Sequence, residues 1–188
     1  MSVAQDFRAF VQRQQQKAAE EHAIDWNARK QEWLEYLDTL YDDIETYLKE
    51  YIQSGAISLK KSQIELNEEN IGTYNASRLF IDIGPQQISL TPVGTLLIGT
   101  KGRVDVEGSA GSARLLLVDR DLISPRVLFN VEFVKPDGSM SDTLKLGDKT
   151  EGQNSDLVWK IATRPPVINF IDLTKETLFE MLMEVSNG

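Results

Sequence analysis

The hydrophobic period of this chain changes once, at Gly55, and that change limits what the chain can fold into. From Asp6 to Ser54 there is no proline or glycine, and most residues are good helix formers. Gly55 then supplies the residue type that ends a helix, because only glycine enters the left-handed conformation there without strain. After it, apolar residues recur at every second position, the mark of strands buried on one face.

Within the helical region Trp26, Trp33, Leu40 and Tyr47 recur every seven residues, and Leu37, Ile44 and Tyr51 follow on an adjacent track. Leu34, Tyr41 and Leu48 widen the seam. The seam is too broad and too aromatic for a two-stranded coiled coil, so it is expected to be hidden by a sheet, a helical bundle or another molecule. Upstream, Phe7, Phe10 and Val11 form a short apolar stripe. The segment His22-Ala23-Ile24-Asp25 leaves two alternatives: a break with Asp25 as a new N-cap, or one helix running straight through.

Opposite the seam, Glu35, Asp38, Asp42 and Glu45 fall at spacings that place four carboxylates in one line. Between Glu32 and Glu50 there are seven acids and one base, Lys49. Solvated helix faces show this pattern, and so does an anionic strip that meets a basic protein.

Past Gly55 the alternating pairs Ile64/Leu66, Leu79/Ile81, Ile88/Leu90, Leu96/Ile98, Val104/Val106 and Leu115/Leu117 predict strands. Val127, Phe129, Val131 and Phe133 give the clearest alternation, followed by a Pro136-Asp137-Gly138 turn and weaker strands at 143–146, 157–163 and 167–171. Strands this close together leave no room for crossover helices, so the sheet is expected to be antiparallel. The chain closes on a segment opened by Thr174 in which Leu178, Met181, Leu182 and Val185 share one helix face. The fold class expected is α+β: a long N-terminal helix or helical hairpin, a mostly antiparallel multi-stranded sheet or open barrel, and a short C-terminal helix. The expected division is a helical region over 1–55 and a β domain with its terminal helix over 56–188.

Composition narrows the function. The absence of cysteine removes disulfides, thiolate nucleophiles and cysteine metal sites, and the single histidine, His22, sits among Glu20, Glu21 and Asp25 in a polar stretch unsuited to a catalytic triad. A formal charge of -9 opposes binding to a phosphate backbone, so no nucleic acid is expected. The longest uncharged stretch, 83–100, is broken by Pro85, Pro92 and three glycines, so no membrane span is expected there. No basic and apolar leader opens the sequence, which makes the cytoplasm the default location.

Three motifs suggest chemistry weakly. Gly94 to Lys101 has the glycine spacing of a phosphate-binding loop but ends Thr-Lys, where lysine must precede the hydroxyl residue. Asp148, Thr150, Gly152, Asn154 and Asp156 alternate oxygen ligands without the pattern of a calcium loop. Asp105 and Glu107 project from one strand face, as a carboxylate-dependent hydrolase needs, with Arg103 beside them as a partner. No cofactor or metal is implied. The leading expectation is therefore a non-enzymatic protein-interaction module, binding a protein partner or a second copy of itself through the N-terminal helices. Glu35, Asp38, Asp42, Glu45, Trp26 and Trp33 are the candidate contact residues. The other classes are a β domain that binds a lipid, peptide or small molecule, and the hydrolase.

Overall fold

The computed structural model describes residues 3–23, 25–95, 100–125, 156–164 and 167–187. The expected strands at 96–98, 127–133 and 143–146, the turn at 136–138 and most of the 148–156 loop lie outside the described residues, as does the side chain of His22. The described chain is α+β: two N-terminal helices, seven antiparallel strands in an open sheet, and a C-terminal helix.

Helix α1 (Val3–Ala23) and helix α2 (Trp26–Gln53) are separate, and Asp25 is the N-cap of the second. Its Oδ1 accepts from the backbone N–H groups of Asn27 and Ala28 at 3.1 and 3.0 Å, satisfying two donors that the first helical turn leaves open. At the far end Gly55 takes φ +77°, and the N–H groups of Gly55 and Ala56 return to the carbonyls of Ile52 and Tyr51. The stop predicted at Gly55 thus has its usual backbone cause.

The strands are β1 (Ile57–Glu68), β2 (Gly72–Ile83), β3 (Gln86–Gly94), β4 (Gly102–Glu107), β5 (Ser112–Asp119), β6 (Leu157–Ala162) and β7 (Phe170–Asp172). Each pairs with the next in sequence, so the sheet is a meander with β1 and β7 at its edges. Helix α3 (Lys175–Asn187) follows. One face of the sheet carries Ile81, Ile88, Leu90, Val104, Val106, Leu115, Leu117, Trp159 and Ile161, and α2 and α3 cover it. From α2 come Trp33, Leu37, Leu40, Tyr41, Ile44 and Leu48, and from α3 come Leu178, Met181, Leu182 and Val185. The seam from Trp33 to Leu48 is therefore hidden by the chain's own sheet, in one continuous core, while Trp26 and Tyr47 are half-buried and Tyr51 is exposed.

Contacts at two places along α2 fix how it lies on the sheet. Trp33 stacks at a tilt on Trp159, with ring centroids 5.9 Å apart, and lies so close to Gly102 that a Cβ there would come within 2.2 Å of the indole. Trp159 Nε1 donates to the carbonyl of Tyr36 at 3.0 Å. Further along, Tyr41 Oη donates to the carbonyl of Ser77 on β2 at 2.7 Å.

The β1–β2 ribbon changes its inward face midway. Near β3 the withdrawn residues are Ile57, Leu59, Ile81 and Ile83, whereas past Ser62 they are Ile64, Leu66, Tyr74 and Ala76, on the opposite side of one unbroken ladder. Pairing of β2 with β3 spans only Leu79 to Ile83. The unsupported arm twists strongly enough to bring its other face to the same core, as two-stranded ribbons do. Glu68 anchors its tip: the carboxylate accepts from Tyr74 Oη, from the backbone N–H of Thr95 at 2.7 Å and from Thr95 Oγ1 at 3.1 Å. The far face of β5–β7 has a smaller apolar cluster of Leu116, Val118 and Phe170.

Candidate functional site

The residues singled out from sequence divide between two environments. Glu35, Asp38, Asp42 and Glu45 all lie exposed on the outer side of α2, as a face opposite a buried seam must. Trp26 is half-buried at the first turn of α2, with the Arg29 guanidinium 5.6 Å from its ring centroid. Trp33 does not belong with them. It is 2% exposed, wedged between Gly102 and Trp159, and the expectation that it touches a partner is corrected: the seam that carries it is consumed by the sheet.

Acidic side chains dominate the outer side of α2, where Lys49 is the one base between Glu32 and Glu50. Among the described residues, none of the seven acids from Glu32 to Glu50 takes part in an ion pair. Partial burial, helped by the neighbouring Asp42 carboxylate, raises the pKa of Asp43 above its ordinary value. Tyr36 and Tyr47 are half-buried on the same flank, and both hydroxyls are pushed up, first by burial and then by nearby carboxylates. For Tyr36 these belong to Glu32 and Asp156, and for Tyr47 to Asp43 and Glu176. Glu176 thus extends the anionic surface to the first turn of α3, whereas Asp156, at the start of β6, is paired with Arg120 at 2.5 Å.

Sequence periodicity places Tyr47 in the seam and has no means of finding Glu176 beside it, or Asp156 beside Tyr36. A track of exact sevens drifts by about 20° per repeat on a straight helix, so Tyr47, three repeats after Trp26, has turned by roughly 60° toward the edge. Tertiary folding alone brings Asp156 and Glu176 to that edge.

The helix α1 is the larger surprise. Every described side chain from Val3 to Gln15 is exposed. Val3 is 85%, Phe7 63% and Phe10 50% exposed, and the two phenylalanine rings stack on each other 6.3 Å apart. Sequence reading identified the stripe at Phe7, Phe10 and Val11 but did not place it among the contact residues.

The hydrolase pair is engaged differently from what that reading needs. Both oxygens of Asp105 accept from Arg103, at 2.6 and 2.7 Å, while Glu107 is exposed at the strand end between Ser89 and Ser112. Among the described residues no group of three or more histidine, cysteine or carboxylate side chains is placed to hold a metal ion. No helix among them is long and apolar enough to cross a membrane. No protein-family model, curated protein or solved structure matches this chain.

Proposed function

We propose that this protein is a non-enzymatic protein-interaction module that meets its partner through the N-terminal helices. Helix α1 contributes its aromatic stripe, and the outer face of α2 contributes carboxylates that neutralise basic groups on the partner. The observation that carries the reading is the uncovered stripe of α1. Helices in proteins gain most of their stability by burying an apolar face, and the described side chains of α1 from Val3 to Gln15 bury none. Adjacent exposed aromatic residues are also the side chains that dominate binding energy once they are desolvated. The carboxylates of Glu35, Asp38, Asp42 and Glu45, which form no ion pair among the described residues, add charge selectivity and speed encounter rather than supplying most of the affinity.

Affinity capture from cell extract with three baits tests this reading: the wild-type chain, Phe7→Ser/Phe10→Ser, and lysine at positions 35, 38, 42 and 45 together. A basic protein retained by the first bait and lost from the other two is the expected result. Hydrogen exchange adds a direct readout, since amides of residues 3–23 should gain protection when the captured protein is added. Equal recovery on all three baits would remove both helices from the interface.

A further inference from the structure

We propose that the outer edge of β1 is a docking surface for β1 of a second copy of this chain, paired antiparallel about a two-fold axis through Gln63. This goes beyond the helix-borne function, because it uses the opposite structural element and a different partner.

The two edges of the sheet are unlike. At one end β7 is three residues long, and the Phe170 N–H is already bonded to the carbonyl of Ile123. At the other, β1 runs for 12 residues, and among the described residues the backbone groups of Ile57–Asn67 bond to nothing except β2. Half of the peptide groups of such a strand point outward, and a long bare edge of this kind is a template for another strand.

The charges on β1 choose the occupant. Lys60 is consumed within the chain by Asp82, at 2.6 Å, and the Glu68 carboxylate by Tyr74 and Thr95. The two remaining charged side chains, Lys61 and Glu65, are exposed and form no ion pair among the described residues, and the Lys61 ammonium rests 5.5 Å from the Tyr41 ring. They lie on the same side of the strand, two positions either side of a centre at Gln63. A two-fold axis normal to the sheet at that centre sets Lys61 opposite Glu65 of the second copy and Glu65 opposite its Lys61. Strands protected against pairing carry one sign of charge along the edge; β1 has its bases in one half and its acids in the other, which opposes only a chain running the same way. The resulting contact is isologous and closes at two copies, with the sheet continuous through both.

Light scattering and sedimentation equilibrium on the full chain over a micromolar dilution series provide the test, with thermal unfolding to verify that each variant folds. The wild type should reach twice the chain mass. Lys61→Glu or Glu65→Lys should each raise the dimer dissociation constant about tenfold or more, because like charges then face each other twice. An equimolar mixture of the two single variants should recover wild-type dimerisation as a heterodimer, a result that damage to the fold would not produce. A chain that stays monomeric throughout overturns the proposal. So does a dimer that ignores both reversals, including one that is lost on Phe7→Ser/Phe10→Ser and not on them.

Discussion

Replacing Gly102 with alanine tests the packing that removes Trp33 from the surface. A methyl group built on Gly102 would lie 2.2 Å from Cζ3 and 2.6 Å from Cε3 of Trp33, against ordinary contact at 3.4 Å and beyond. The indole must therefore retreat by more than an ångström. It is rigid, 2% exposed, and backed by Trp159, so retreat means moving α2 or β6. Overpacking in a well-filled core destabilises by roughly 1–3 kcal/mol, and a ring with nowhere to turn belongs at the upper end. For a chain of this size about 3 kcal/mol corresponds to a fall of roughly 6–12 °C in Tm. Trp33→Leu alone should cost about 2–3 kcal/mol through the cavity it leaves. In the double variant the methyl group enters that cavity, so the two effects should fall short of their sum by about 2 kcal/mol, measured by urea unfolding across the four proteins of the cycle. Additive losses, or a Gly102→Ala protein with wild-type Tm, would refute the placement of Trp33 beneath the sheet and return it to the candidate surface.

Three further outcomes follow from single contacts. Tyr41→Phe removes the donor to Ser77 and leaves that carbonyl without its helix partner, so chemical unfolding should show a loss of about 1 kcal/mol. Asp25→Ala removes the cap of α2 and should cost about 1 kcal/mol, with faster hydrogen exchange confined to the first turn at Asn27 and Ala28. Asp43→Asn should stabilise slightly at neutral pH, by no more than about 0.5 kcal/mol after solvent screening, because the folded state raises the Asp43 pKa and so disfavours its ionised form. That gain should shrink as the pH falls through the raised folded-state value and disappear below the ordinary carboxylate value, where Asp43 is protonated folded or unfolded. Thermal melts across that range read it directly, and a gain that grows with acidity would reverse the sign of the argument.

The α+β class, the antiparallel sheet and the docked face of α3 were legible because each rests on a periodicity that one buried face imposes. Leu178, Met181, Leu182 and Val185 repeat at helix spacing, and Ile88/Leu90 or Val104/Val106 at strand spacing, whatever lies across from them. The break between α1 and α2 was readable only as alternatives. Asp25 is competent to cap, but whether it does depends on backbone geometry that a residue type does not specify. The β1–β2 arm was less legible still. Its inward face switches at Ser62 without an insertion or bulge: Leu59 and Ile64 stand five positions apart, so the alternation changes phase there, and residue type does not specify that a twist of the ribbon absorbs the change.

The candidate surface shows the sharper limit. A seam of aromatic and aliphatic residues states that a helix must be covered, but not by what, and in α2 the cover is the chain's own sheet. That result withdraws the seam as a reason to invoke a partner. The same physical requirement now falls on α1, where Val3, Phe7, Phe10 and Val11 are exposed. The two stripes differ in what the chain offers them: α2 precedes a strand ladder whose alternation supplies a matching apolar face, and among the described residues α2 and α3 pack on that face. Periodicity locates apolar faces one at a time, whereas the face left over emerges only when all of them have been matched in three dimensions. An interaction role for this chain therefore stands on Phe7 and Phe10 rather than on Trp33, and protection of α1 on binding is the measurement that decides it.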